Sequence, residues 1–404
     1  MLLVVLVCCA LVSPSRAVSG DAAPIVVLVS LDGWRWDYID RANVPNLRAL
    51  AARGVKAKGL IPSFPPKTFP NHYTIVTGLY PDHHGIVSNT IVDAAIGERF
   101  TMSAATALDP RWWGGEPLWL TAMRQGKLAA SMFWPGSEVR GRQPTYWKPF
   151  DDKVTNAARV QQVLEWLALP DGERPSFVTL YFSEVDHAGH DYGPDSPEVL
   201  TAAAHLDAAL GDLIAGIERL HLHGQTSVVV VSDHGMSQMS EQRVIFLDDY
   251  LDLSTVDVVD ASPSLGLVPR TVSVEAVYRA LRGKHPALAV YRREQLPARL
   301  HYGANTRVPP IVGIASDGWR ITSHAQMAKD RAAGKLIGGE HGYDTKNRSM
   351  QGLFVAAGPT IRPGVVVPSF ENIHIYDFLC ELLGVKPAAN DGNPRMVSAL
   401  TGRK

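Results

Sequence analysis

Two apolar runs end in acidic or acid-imidazole turns, V-L-V-S-L-D-G with Asp32 and V-V-V-S-D-H-G with Asp233 and His234. Asp186 and His190 stand four apart in E-V-D-H-A-G-H, and His341 sits between glycines in G-G-E-H-G-Y-D. Thr68 lies in P-P-K-T-F-P-N-H, and Asn89 closes G-I-V-S-N. Hard carboxylate oxygens mixed with imidazole nitrogens suit a borderline dication such as zinc. A fold that gathers these groups would hold two divalent cations around an activated threonine, which is equipment for attacking a phosphoester.

Each motif also has a plain structural use. Asp-His-Gly is equally the spelling of an Asx-capped turn, with Gly235 letting the backbone bend. Asp186 and His190 share a face only if their segment is helical, where residues four apart point the same way. Otherwise that stretch is a solvated loop with ordinary surface histidines. His341 by itself reads as a loop residue. Thr68 falls where a proline-rich loop enters a helix, with Pro70 in the first turn, so it could simply be the cap. The same geometry has a functional use, because the unpaired amides and positive dipole end of a helix attract a phosphate. Lys67 is expected to face solvent or support substrate.

The elements that must position these residues follow from hydrophobic pattern. Ile25 to Leu31, Phe177 to Phe182 and Ser227 to Val231 are continuous apolar runs, as in strands buried on both faces of a parallel sheet, and Gly352 to Ala357 is a fourth. Helical patterns over Val44 to Arg53, Val154 to Leu169 and Pro197 to Leu220 lie between them. This alternation predicts an α/β fold with a doubly wound, mostly parallel sheet. Ligands bind such sheets outside the carboxyl ends of the strands, where Asp32, Asp186 and Asp233 all fall. Residues 244–335 break the rhythm with short strands, prolines and basic turns, and are expected to form an inserted subdomain within a single catalytic domain over 24–404.

Composition sets the class. The chain has 404 residues, 46% hydrophobic and 20% charged, which is a globular balance and excludes disordered or collagen-like chains. A formal net charge of -1 offers no basic field for a long nucleic acid, so phosphate recognition must be local. Met1 to Ala10 is almost wholly apolar and small residues surround Ala17, predicting a signal peptide over 1–17 and a periplasmic or secreted protein. No Lys or Arg precedes that run, which is atypical. It is too short for a stable membrane span. Beyond Cys8 and Cys9 only Cys380 remains, so no intramolecular disulfide is expected and Cys380 is assigned to packing.

The ordered blocks L-D-G at 31–33, P-P-K-T-F-P-N-H at 65–72, T-G-L-Y-P-D-H-H-G-I-V-S-N at 77–89, W-W-G-G-E-P-L-W at 112–119, F-W-P-G-S at 133–137, D-H-A-G-H-D-Y-G-P at 186–194, S-D-H-G-M at 232–236 and E-H-G-Y-D at 340–344 carry a resemblance. Together they resemble the nucleotide pyrophosphatase/phosphodiesterase family of the alkaline phosphatase superfamily, as a bacterial stand-alone catalytic domain. The resemblance implies two zinc ions per chain, one held by Asp186, His190 and His341 and the other by Asp32, Asp233 and His234. It implies Thr68 as nucleophile at the second ion, a phosphothreonine intermediate, and Asn89 as a donor to a non-bridging phosphate oxygen. The implied substrate is a nucleotide diester or pyrophosphate. Phe69 and Tyr181, with Tyr146 or Trp147, are expected as aromatic walls for the base. The alternatives are a phospholipid or choline-type phosphodiesterase on the same scaffold, and a non-catalytic zinc-binding exported protein.

Overall fold

The computed structural model describes residues 23–103, 105–334 and 338–401, so the expected signal segment lies outside the described residues. The central sheet uses eight strands, here β1 (Ile25–Leu31), β2 (Val55–Ala57), β3 (Ala129–Met132), β4 (Tyr146–Lys148), β5 (Phe177–Phe182), β6 (Thr226–Val231), β7 (Phe354–Ala357) and β8 (Val365–Val367). Their spatial order is β8-β2-β7-β6-β1-β5-β3-β4. Every pairing is parallel except the two made by β7, which runs antiparallel to both β6 and β2. The apolar run at 352–357 is therefore a strand, but not a parallel one.

The continuous hydrophobicity of β1 has a direct cause. Val26 and Leu28 pack on one side with Ile75, Val76, Ile375 and Phe378, while Val27 and Val29 pack on the other with Val163, Leu206 and Leu210. Alternate side chains of a strand point to opposite faces, so a strand covered on both faces must be apolar throughout. Cys380 is a free, buried thiol in the helix Ile375–Leu383, and burial pushes its pKa up to about 12.

The helices Pro45–Ala52, Asn156–Leu167 and Pro197–Arg219 cover one face. Pro197–Arg219 is long and apolar enough to cross a membrane, but Val199, Ala203, Leu206, Leu210 and Leu213 are buried against the sheet. This helix also ends another. Pro45–Ala52 has Val44 at its N-cap and no side-chain cap, and Asp207 instead accepts the Asn46 and Leu47 amides at 3.1 and 2.7 Å. Orphan amides at a helix start need such an acceptor when water is excluded.

Residues 256–315 form a separate four-stranded antiparallel sheet in the order Val256–Asp260, Ser264–Pro269, Ile311–Ala315, Leu288–Arg292. Its own core includes Leu265, Leu267, Val277, Leu281 and Val290. Val312 and Ile314 from the same sheet join the main core, so it is packed onto the larger one.

Asp207→Ala leaves two buried amides without an acceptor. It is expected to destabilise the protein by about 1–3 kcal/mol, read as a lower Tm and urea midpoint with the sheet's circular dichroism intact. An unchanged midpoint would mean that solvent satisfies those amides.

Candidate metal centre and active site

Strands β6, β1 and β5 are adjacent and parallel, so their carboxyl ends open on one edge. Asp32 follows β1 directly, Asp233 follows β6 by one residue, and Asp186 lies in the helix Glu184–Tyr192 that leaves β5. All three carboxylates are buried. Gly33 makes the approach possible: its φ is +68°, and a Cβ there would lie 2.8 Å from Asp186 backbone and side-chain atoms. The Gly33 amide donates to Asp233 Oδ1 at 3.2 Å.

The structure brings Asp32, Asp233 and His234 into one group, with His234 Nε2 3.0 Å from Asp233 Oδ2 and 3.5 Å from Asp32 Oδ1. Asp186 groups with His341 and His234, and His190 groups with His341 and Glu340, so His190 and Asp186 meet around His341. His190 Nε2 is 3.5 Å from Asp186 Oδ2, His341 Nε2 is 3.8 Å from Asp186 Oδ1, and the two Nε2 atoms are 3.1 Å apart. The His234 and His341 rings stack at 3.5 Å between centroids, so the two groups adjoin.

The histidine tautomers point the same way. Nδ1 of His190, His234 and His341 lies 3.0, 2.9 and 2.8 Å from the carbonyls of Gly339, Gly235 and Pro66. A carbonyl only accepts, so each Nδ1 carries a proton and Nε2 is the atom of each ring that can offer a lone pair to a cation once any proton there is released. The backbone acceptors thus fix the rings as metal-binding histidines require. Asp32 Oδ1, Asp186 Oδ1, Asp233 Oδ2 and His234 Nε2 are buried without a hydrogen bond. Buried polar atoms are otherwise nearly always satisfied. Four orphans with this chemistry, in one place, fit a divalent cation of the zinc class.

Electrostatics agree. Burial, with Asp233 and Asp186 nearby, holds the Asp32 carboxyl well above the usual range, against a hydrogen bond from Tyr181. Burial also acts to raise Asp233, but His234 and His72 beside it prevail and pull it down to about 2. The His341 imidazole is held well below its ordinary value by burial and by its histidine neighbours. Burial likewise opposes the charged form of His190, yet Asp186 and Glu340 raise it.

Thr68 opens the helix Thr68–Thr77, and Lys67, with extended backbone, is the N-cap without a side-chain cap bond. The simple capping role for Thr68 is therefore not the observed one. Its side chain makes no hydrogen bond among the described residues, and it lines a cavity of about 590 Å³ together with Asp32 and Asp186. Asn89 caps in its place: Oδ1 accepts the Phe69 amide at 2.9 Å. An amide donor identifies that atom as oxygen, so the remaining polar group of Asn89 is its NH2, the donor type an anionic oxygen requires. Pro70 has no N–H and the Asn71 amide bonds to Lys67, which leaves the Thr68 amide as the unspent donor of the first turn.

The aromatic expectations are revised in part. Phe69 and Tyr181 line the cavity, joined by Trp113, Phe133, Trp134 and Phe150. Tyr181 has a further task, since its hydroxyl donates to Asp32 Oδ2 at 2.6 Å. Tyr146 lies elsewhere: it stacks on Trp166 and its hydroxyl donates to the Glu173 carbonyl, while Phe150 stands beside Tyr181. The length of the 140–150 loop hides this. Lys67 does not face solvent. Its ammonium is buried and lies 2.6 Å from Asp260 Oδ2.

Two site residues escaped the sequence pattern. Glu340 groups with His190 and His341, and its position beside His341 was the available signal. His72, one helical turn after Thr68, is fully buried, with Nδ1 2.8 Å from the Thr68 carbonyl and Nε2 2.7 Å from Ser30 Oγ.

Comparison with known proteins gives this arrangement a family. Residues 26–344 match the family model described as type I phosphodiesterase / nucleotide pyrophosphatase. The chain belongs to that family. It is 39% identical over 401 residues to a venom phosphodiesterase of Macrovipera lebetinus and 36% identical over 397 residues to ectonucleotide pyrophosphatase/phosphodiesterase family member 3 of Rattus norvegicus. These alignments cover 95% of the chain but 46% and 45% of the relatives, so it spans about half the length of the curated relatives it matches. Among solved structures, murine ectonucleotide pyrophosphatase/phosphodiesterase 5, as an inactive threonine-to-alanine variant in complex with AMP, is 34% identical with a TM-score of 0.88, covering 94% of this chain and 100% of that one. The α/β architecture of this family member is the alkaline phosphatase superfamily fold.

Tyr181→Phe removes the donor that orients Asp32 and favours its charged form. Divalent-metal affinity is expected to fall about 10–100-fold, measured by competition with a chromophoric chelator. An unchanged affinity would separate Asp32 from the metal. Acid should weaken binding too: Asp32 and His190 hold protons more readily than usual, and a cation must displace them. Calorimetry in buffers of different ionisation enthalpy should register proton release on binding, increasingly so as pH falls.

Proposed function

We propose that this chain is a two-zinc phosphodiesterase that hydrolyses nucleotide phosphodiesters or pyrophosphates to nucleoside monophosphates, with Thr68 as nucleophile. One observation carries the reading: the unengaged Thr68 side chain and its free amide sit at a helix start, in the same cavity as Asp32 and Asp186. Asp32, Asp233 and His234 would hold one ion, and Asp186, His190 and His341, within 3.1–3.8 Å of one another, the other. Zinc, when bound, supplies Lewis acidity that favours an alkoxide and offsets phosphate charge.

The chain's own residues do the rest. Thr68 Oγ1 gives its proton to solvent and bonds to phosphorus as the bond to the leaving oxygen breaks, giving a phosphothreonine and a leaving alcohol or phosphate that takes a proton back from solvent as its own pKa requires. Water then attacks that phosphorus, releasing the nucleoside monophosphate and restoring the threonine hydroxyl. The Thr68 amide and the Asn89 NH2 would donate to non-bridging oxygens, whose charge grows in the transition state. His72 holds the Thr68 carbonyl, and Tyr181 holds Asp32. Phe69 and the other cavity aromatics offer faces for a nucleobase, a contact that tolerates any base. AMP in the murine relative supports a product of this class.

Met102 and Phe150 are half exposed on the same cavity, an apolar rim that would also suit a phospholipid or choline-type diester. A dinucleotide compared with glycerophosphocholine as substrate separates the two readings. We also propose an exported, extracytoplasmic location, supported by the apolar Met1 to Ala10 run and the small residues around Ala17. N-terminal sequencing of protein recovered outside the cytoplasm tests it.

Thr68→Ala is expected to keep its zinc and lose most turnover of bis(p-nitrophenyl) phosphate. Wild-type rates in that variant would remove the nucleophile. Asn89→Ala should raise the barrier by about 2–4 kcal/mol as a lost oxyanion donor does, read from kcat/KM on the same substrate. A chelator should abolish the reaction and added zinc should restore it.

A further inference from the structure

The nucleophile loop and the Asn89 loop are far apart in sequence from the inserted antiparallel sheet, yet all three meet at one carboxylate. Asp260 ends the strand Val256–Asp260. Its Oδ2 accepts from Lys67 Nζ at 2.6 Å and from Ser88 Oγ at 2.6 Å. Lys67 is the residue before Thr68, and Ser88 is the residue before Asn89. The Lys67 side chain is only 8% exposed and that of Asp260 18%. A second tie runs in parallel: Tyr302, from the same inserted region, donates to the Val87 carbonyl at 3.0 Å and packs its ring edge-on to Phe64. The two loops in turn touch each other through the Phe69 amide and Asn89 Oδ1.

We propose that Asp260 is a positioning residue, a clamp from the inserted sheet that sets Thr68 and Asn89 at their working separation. The proposal deepens the phosphodiesterase reading and rests on it for its catalytic part. The physical argument is one of leverage. A single carboxylate oxygen shared by two donors fixes the distance between the two chain segments that carry them. Each segment passes from its anchor to its working residue in one peptide step, so little slack remains. Neither anchor lines the cavity that Thr68 lines, which sets Asp260 apart from substrate contact, and bound zinc is read separately because the Lys67 side chain passes close to Gly342 beside His341. Asp260 is the one carboxylate paired with Lys67 within ion-pair distance among the described residues, and the Ser262 carbonyl is a longer second acceptor at 3.4 Å. A displaced Lys67 would carry Thr68 with it, and misplacement of a reacting group by about 1 Å costs on the order of 100-fold in rate.

The test uses the full chain as purified with zinc, and compares Asp260→Ala, Asp260→Asn, Ser88→Ala and the charge-free double variant Lys67→Met with Asp260→Asn. Two readouts are taken at a temperature where circular dichroism reports each variant folded. Hydrogen exchange followed by mass spectrometry reads peptides covering 67–71 and 87–90, with the Pro197–Arg219 helix as internal control. Steady-state kinetics on bis(p-nitrophenyl) phosphate reads kcat and KM, alongside bound zinc. The expected result is faster exchange in both peptides together, a control helix unchanged, and kcat down by about 100-fold in Asp260→Ala with KM and zinc content held. Ser88→Ala, which cuts one arm, should loosen 87–90 more than 67–71. Unchanged exchange in folded Asp260→Ala overturns the clamp, and so does faster exchange with full kcat. If Asp260→Ala does not fold, the Ser88→Ala and double variants decide by the same readouts. A wild-type protein without diesterase activity would refute the phosphodiesterase reading, and the exchange data alone would then decide whether Asp260 holds the two loops together.

Discussion

Three carboxylates are forced together at the edge of a sheet, where they repel one another and have little water to spread the charge. Everything else in the site answers that constraint. The parallel pairing of β6, β1 and β5 leaves no choice about which end Asp233, Asp32 and Asp186 occupy. Partial relief comes from His234 and His72 beside Asp233, from the Tyr181 hydroxyl on Asp32, and from the Gly33 amide. These partners do not use all the lone pairs: Asp32 Oδ1 and Asp186 Oδ1 have no hydrogen bond, and Asp233 Oδ2 has imidazoles at 3.0 and 3.4 Å without a hydrogen bond from either. An uncompensated buried charge is too costly to keep without purpose. The arrangement fits a charge balance that divalent cations would complete.

The same demand explains how the surrounding chain is routed. Each histidine spends its Nδ1 proton on a backbone carbonyl, and one of those carbonyls belongs to Pro66, two residues before Thr68. His72 then reaches back from the helix to the Thr68 carbonyl while lying 3.4 Å from Asp233. Thr68 is therefore bracketed by contacts leading to both metal-type groups, and its position relative to them is a property of the backbone rather than of one rotamer. Precision of this kind is what in-line attack needs, because rate is lost steeply with misplacement.

Much of this was legible in the sequence, for reasons that are local. Strands covered on both faces write themselves as unbroken apolar runs, so β1, β5 and β6 could be read along with the acids at their ends. The four-residue spacing of Asp186 and His190 worked because a helix does form over Glu184–Tyr192. Strand direction was not legible, since β7 has the same composition whichever way it runs. The burial of Lys67 leaves no mark in the sequence because its partner Asp260 lies far along the chain and in another sheet. Tyr146 was misplaced because a loop decides which aromatic turns inward, and loop path leaves no periodic trace. The double role of Tyr181 is invisible for a related reason: an apolar strand position says where the ring goes, and not what its hydroxyl meets.

The start of the Thr68–Thr77 helix shows how one set of residue types can meet two opposed needs. A threonine at a helix start ordinarily spends its hydroxyl on an amide two or three residues on, which stabilises the helix and blunts the oxygen. Here Lys67 takes the cap position with a side chain that cannot accept, and Pro70 removes one of the amides that would need satisfying. Asn89 supplies the missing acceptor from a separate loop. Capping is thus moved off the threonine, which keeps its hydroxyl free and leaves its own amide as the one unspent donor beside it. A helix end stabilised from outside, with an idle hydroxyl and an idle amide side by side, is poorly explained by folding alone. It follows directly if an anionic ligand is to be received at that point and attacked there.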